Sequence, residues 1–218
     1  MDKKTLAGKT IELLSKNKGR LTMLGKENKR KQGKAKLAFR VLISTILSHR
    51  TRDEQTKPAA NRLLKKFPTP KKMSVASVKK ISELAHPVGF YKTKARYIKK
   101  TSQQLMKDFN GVVPSTMEEL TSLKGVGRKT ASCVLNYAFG LPAIAVDTHV
   151  HRISNRIGLV KTKTPQLTEV GLKKIVPKQK WMVVNELLVV HGQTVCKPIK
   201  PNCRACVLNK ICKSAFKN

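Results

Sequence analysis

Four cysteines near the C-terminus, Cys196, Cys203, Cys206 and Cys212, are separated by six, two and five residues. Four thiolates grouped so closely in a basic stretch form the ligand set of a tetrahedral zinc ion or of a four-iron cluster. Soft sulfur donors suit both, and each deprotonated sulfur offsets cationic charge. A fifth cysteine, Cys133, shares an apolar helical stretch with Val134 and Leu135 and reads as a core thiol. An odd cysteine count with four of the five grouped as ligands disfavours a secreted disulfide framework.

Upstream lies the block Leu123-Lys124-Gly125-Val126-Gly127-Arg128-Lys129-Thr130-Ala131. Two glycines around one apolar residue allow a tight turn whose successive amides can hold a phosphate. Gly127 also opens the next helix, where the dipole and unpaired N–H groups favour an anion. Taken alone, Gly-Val-Gly fits an ordinary corner between helices equally well. Lys129 falls in the first turn of that helix. Neighbouring Arg128 and the positive helix terminus disfavour an added cation there and so favour the free amine, a nucleophile. Asp147 follows the apolar run Ala143-Ile144-Ala145-Val146 and precedes Thr148-His149. It reads as a helix N-cap and also as a carboxylate able to accept a proton or to stabilise positive charge developing on a sugar.

The chain that positions these groups has 218 residues, enough for two modest domains. Lysine and arginine number 46 against 12 acidic residues, a formal charge of +34 spread along the whole sequence. Such a balance predicts tight, strongly salt-dependent binding to nucleic acid through counterion release. No stretch approaches the roughly 18 apolar residues of a membrane span, and the start lacks the apolar core of a signal peptide, so a soluble, intracellular protein is expected.

Apolar spacing is helical throughout, and no segment sustains period-two alternation, which predicts an all-α fold with short connections. Residues 16–36, including Lys29-Arg30-Lys31-Gln32-Gly33-Lys34, read as a basic arm or solvated surface. Leu37, Val41, Leu42, Thr45 and Ile46 share the face of a helix that ends in Ser48-His49-Arg50-Thr51-Arg52, with Asp53 as the next N-cap. That next helix reaches Phe67 and stops at Pro68 and Pro70. Ser77 to Leu84 and Tyr91 to Phe109 form two more helices, the first ended by His86-Pro87. Ser115 and Glu118 have capping-box spacing before a helix to Leu123, and Gly127 to Phe139 forms another that Gly140 terminates. Asp147, Pro165 and Lys178 mark three further starts.

Together the hairpin–lysine block, Val146-Asp147-Thr148-His149 and Cys-x6-Cys-x2-Cys-x5-Cys resemble the endonuclease III family of helix–hairpin–helix base-excision DNA glycosylases and abasic-site lyases, most nearly its archaeal members. The resemblance runs from about Ile11 to the end. It includes Leu47-Ser48, Thr51-Arg52-Asp53, Val88-Gly89-Phe90-Tyr91 and His191-Gly192. It implies two helical domains: a barrel over residues 31–141 carrying the hairpin at about 115–139, and a cluster domain of residues 142–218 together with the N-terminal arm and helix, 1–30. The active site would lie in the cleft between them.

By the same resemblance Lys129 is the nucleophile, Asp147 the catalytic aspartate, and Cys196, Cys203, Cys206 and Cys212 hold a [4Fe-4S] cluster that folds the loop 196–212. Damaged double-stranded DNA is the implied partner, met by Ser48, Arg50, Phe90, Gly125, Val126, Gly127, Arg128, His149, Lys200 and Arg204. The protein would act as a cytoplasmic, nucleoid-associated monomer that removes oxidised or ring-saturated pyrimidines. Three residues depart from the family pattern: Arg50 stands where glutamine is frequent, Phe90 where a wedge is often leucine, and Lys124 where proline usually precedes Gly125. A monofunctional mismatch or adenine glycosylase of the same superfamily is disfavoured by Lys129, and a purely binding helix–hairpin–helix module by the pair Lys129 and Asp147. A zinc-stabilised transcription factor would instead be colourless and sequence-selective.

Overall fold

The computed structural model describes residues 1–17 and 33–217, and for Asp53 the backbone alone. Among them every regular element is helical, as the apolar periodicity predicts. In chain order the α-helices are α1 (Lys3–Lys16), α2 (Lys34–Ser48), α3 (Asp53–Lys66), α4 (Pro70–Val75), α5 (Val78–Ala85), α6 (Tyr91–Asp108), α7 (Met117–Ser122), α8 (Arg128–Val134), α9 (Thr148–Ile157), α10 (Pro165–Ile175) and α11 (Trp181–Thr194). Two compact units form: Met1–Thr22 with Pro142–Asn218, and Met23–Leu141. Most of the basic run expected to form an arm lies outside the described residues; its last members, Gly33 and Lys34, cap and begin α2.

Within Met23–Leu141 the core is built around α2. Its residues from Leu37 to Leu47 are buried on nearly every side, apart from Arg40, and Ser44 and Thr45 are buried with them. A helix apolar all round has to be central, and α2 packs against α3, α6 and α8. Ile81 of α5, Ile98 and Leu105 of α6, and Leu120 of α7 complete this core. In Met1–Thr22 with Pro142–Asn218, Leu6, Ala7 and Leu14 of α1 meet Val150, Ile153 and Ile157 of α9, Leu172 of α10, and Val184, Leu187 and Leu188 of α11.

Several helix ends differ from expectation, each for a local reason. Helix α3 begins at Asp53, and Arg52 takes the cap position because its carbonyl accepts the first helical bonds, from Gln55 and Thr56. The sequence Ser115-Thr116-Met117-Glu118-Glu119 offers a capping box in two registers, and the one used is Thr116 with Glu119. Thr116 Oγ1 accepts from Glu119 N at 3.2 Å and donates to its carboxylate at 2.7 Å, a register that buries Leu120 and Leu123. Pro70 does more than stop α3: it is the first residue of α4, capped by Thr69. The helix expected from Gly127 to Phe139 widens into a π-helical turn at Leu135–Phe139, closed by Gly140 at φ 69°. Cys133 is buried, as a core thiol should be.

Candidate active site and cysteine cavity

Helix α6 supports the glycine turn. Lys124 N donates to Gln104 Oε1 at 2.6 Å, and Thr101 Oγ1 donates to Lys124 O, so the two successive peptide groups on either side of the Lys124 Cα are pinned before the chain turns. Gly125 has φ 83°, and a Cβ there would lie 2.8 Å from Cβ and Cγ of Tyr97. Conformation and space therefore both require glycine. Val126 is buried and its N–H closes the turn on Leu123 O at 3.0 Å. The expectation of a run of unengaged amides thus fails at Val126, because the turn itself uses that donor. Gly127 caps α8, where a Cβ would meet only open space. Arg128 and Lys129 form the first turn of α8, the turn whose N–H groups lack helical acceptors.

His49 reaches this turn from the end of α2. Its Nε2 lies 2.8 Å from Thr130 Oγ1. Burial, then the positive charges of Lys129 and Lys94, push its pKa down to about 4, so the ring beside Lys129 is neutral at physiological pH. Ser48, the last residue of α2, is half-buried and donates to Thr45 O at 2.9 Å. Arg50 and Phe90 are exposed, Phe90 at 65 %, and both have left-handed backbone, φ 50° and 57°.

Asp147 is the N-cap of α9, as its sequence position predicts, with Oδ1 accepting from Val150 N at 2.9 Å. The segment before it is anchored by Asn185 Nδ2, which donates to Ala145 O at 2.8 Å. His149, two residues on, packs closely on Gly192: a Cβ at Gly192 would fall 2.5 Å from His149 Nδ1. This contact accounts for the glycine in His191-Gly192.

The four cysteines line one cavity, partly open to solvent, together with Ile153, Ile157 and Leu208. Among the described residues no three cysteine, histidine or acidic side chains converge on a point suited to a single ion. Burial raises the pKa values of Cys206 and Cys212, and the charges of neighbouring thiolates add to it, a repulsion that a cationic group at the centre would relieve. Arg156 Nη1 approaches Cys196 Sγ at 3.6 Å, and His191 Nε2 lies 3.5 Å from Cys206 Sγ. Lys200, at φ 51°, and Arg204 are exposed on the same loop.

Sequence reasoning missed Lys94, Tyr97, Thr101 and Gln104 of α6, Thr130 of α8, and Arg152 and Arg156 of α9. Arg152 Nη2 donates to Cys196 O at 2.8 Å, and Arg156 donates to Lys197 O and Pro198 O at 2.7 and 2.8 Å. Lys94 left a legible trace: with Ile98, Thr101 and Leu105 it falls on the buried stripe of α6.

A family model described as HhH-GPD superfamily base excision DNA repair protein matches residues 43–178. Endonuclease III of Thermotoga maritima is 47 % identical over 175 residues, 80 % of this chain and 82 % of that protein. Endonuclease III homolog 2, chloroplastic, of Arabidopsis thaliana is 44 % identical over 188 residues, and the chain spans 49 % of its length. A solved structure of a trapped endonuclease III–DNA covalent intermediate, an estranged-adenine complex, matches with a TM-score of 0.85 at 32 % identity, covering 100 % of this chain and 99 % of that one.

The neutral state of His49 has a measurable consequence. Its folded pKa lies below the unfolded value of 6.5, so its contribution to stability is complete above pH 6.5 and is lost as pH falls towards about 4. Thermal unfolding of the wild type should weaken more between pH 6.5 and 4 than that of His49→Gln, which keeps a hydrogen-bonding amide. Parallel curves would show that His49 is not buried as a neutral ring.

Proposed function

Because this chain belongs to the HhH-GPD superfamily of base excision DNA repair proteins, we propose that it is a bifunctional DNA glycosylase and abasic-site lyase acting on oxidised or ring-saturated pyrimidines in duplex DNA. The observation that carries this reading is the placement of Lys129 in the first turn of α8, just after the Gly125–Gly127 turn. A backbone turn able to receive a DNA phosphate thereby sets the register of an amine against the nearby sugar.

The chemistry follows from these parts. The damaged nucleotide leaves the stack at a cost of a few kcal/mol, least for a base that is already poorly stacked. Arg50 and Phe90 enter the gap, Phe90 as an apolar wedge and Arg50 against the partner strand, where a guanidinium can bond a phosphate or a guanine. The free amine of Lys129 attacks C1′. The bond from C1′ to the base breaks, and the base departs with the electron pair and takes up a proton. Opening of the sugar gives an iminium between Lys129 and C1′. Loss of a C2′ proton then expels the 3′ phosphate by β-elimination, and water releases the lysine. Asp147, with Oδ1 engaged by α9, offers Oδ2 to accept a proton or to stabilise the cationic sugar. Ser48, Arg128, His149, Lys200 and Arg204 supply further DNA contacts, and the positive excess supplies general affinity.

Cys196, Cys203, Cys206 and Cys212 are proposed to hold a [4Fe-4S] cluster, for which their shared cavity has the donor set. When bound, the cluster ties the loop 196–212 into one structural unit. The protein's own residues then present Lys200 and Arg204 from a fixed backbone, with Arg152 and Arg156 bracing Cys196 to Pro198.

Wild type should release the base from, and nick, a duplex carrying one ring-saturated pyrimidine. Lys129→Gln should lose both activities by about a thousandfold or more while binding the duplex with nearly unchanged affinity. Base release without nicking by the wild type would point to a monofunctional glycosylase, and binding alone to a non-catalytic module. The purified protein should also contain iron and acid-labile sulfide and absorb visible light, all reduced in Cys203→Ser. Stoichiometric zinc with no iron would overturn the cluster assignment.

A further inference from the structure

Arg50 and Phe90, placed above as the side chains that enter the duplex, stand on separate loops in conformations that bulky residues rarely adopt, with φ 50° and 57°. Something must hold each of them. For the first loop it is Lys94, on the first turn of α6 just beyond Phe90. Lys94 is 5 % exposed, and its ammonium donates to Leu47 O at 2.6 Å, to His49 O, and to Thr51 Oγ1 at 2.9 Å. Leu47 and His49 lie at the C-terminal end of α2, where unsatisfied carbonyls carry partial negative charge and a cation is favoured. All three ammonium hydrogens have acceptors, so the nitrogen has no free electron pair and Lys94 is not a second nucleophile. The other side of the contact is Gly89: a Cβ there would lie 3.3 Å from Arg50 O and from Thr51 Oγ1. Residues 89 and 94 therefore grip the segment 47–51 at two points that flank Phe90 in sequence.

We propose that Lys94 is a positioning residue for base extrusion, locking the loop of Arg50 to the loop of Phe90 so that the two side chains enter DNA as one rigid unit. The proposal rests on the DNA-entering roles given to Arg50 and Phe90. Burial pushes the Lys94 pKa down to about 8, while its three acceptors hold the proton that the lock requires. Because Lys94 acts through other side chains, it matters for removing a stacked base and much less where no base has to leave.

The test compares the cluster-bearing wild type with Lys94→Met and with Thr51→Val, which keeps the buried charge and removes one acceptor. Each is measured in single-turnover base release at a ring-saturated pyrimidine and in strand cleavage at a preformed abasic site. A 2-aminopurine next to the lesion reports extrusion independently of chemistry. Lys94→Met should slow both the fluorescence change and base release about tenfold or more, with abasic-site cleavage within about threefold of wild type. Thr51→Val should show the same order at about threefold, and it carries the test if Lys94→Met does not fold. Equal losses on both substrates, or no loss on either, would overturn the proposal. If Arg50→Ala and Phe90→Ala both leave base release unchanged, the DNA-entering reading itself fails and the proposal falls with it.

Discussion

The C-terminal end of α2 is the constraint around which Met23–Leu141 is organised. A helix buried on nearly every side brings its last carbonyls into an environment where water cannot satisfy them, and an unmet buried carbonyl is destabilising by about 1–3 kcal/mol. Lys94 meets Leu47 O and His49 O with one ammonium, and that places α6 against the loop that follows α2. Further along the same helix, and without drawing on that clamp, Tyr97, Thr101 and Gln104 meet the glycine turn directly. The turn in turn sets where α8 starts and where Lys129 stands. One helix thus satisfies a buried helix end near its start and braces, further along, the turn that precedes Lys129.

Lys94 and Lys129 show how context separates residues of the same type in so basic a chain. Composition makes every lysine look like a solvated cation. Lys94 is buried, and three acceptors hold its ammonium in place. Lys129 stands at the first turn of a helix beside a neutral histidine. The first arrangement suits a structural clamp, and the second suits the attack on carbon proposed for Lys129.

The all-α class and most helix starts were legible in the sequence, because capping residues and apolar spacing act locally. The capping box before Leu120 was placed one residue early for a similarly local reason: two registers satisfied the same pattern, and the one used, Thr116 with Glu119, buries Leu120 and Leu123. The candidate site was legible in part: the cysteines spaced along the sequence line one cavity, and the glycine turn has the conformation its residues suggest. It was not legible where ordinary residues act over long sequence separation. His49 meets Thr130 across 81 residues, and Arg152 meets Cys196 across 44. The expectation for Val126 failed because a turn tight enough to present amides closes on one of them.

The most direct test of the central claim is to identify the atom that attacks the sugar. Wild-type protein is incubated with a duplex bearing one ring-saturated pyrimidine in the presence of borohydride, and the covalent product is digested and mapped by mass spectrometry. A reduced amine linkage is expected on the peptide containing Lys129, and on no other lysine, with no adduct for Lys129→Gln. An adduct on a different lysine, or none while the duplex is bound, would contradict it.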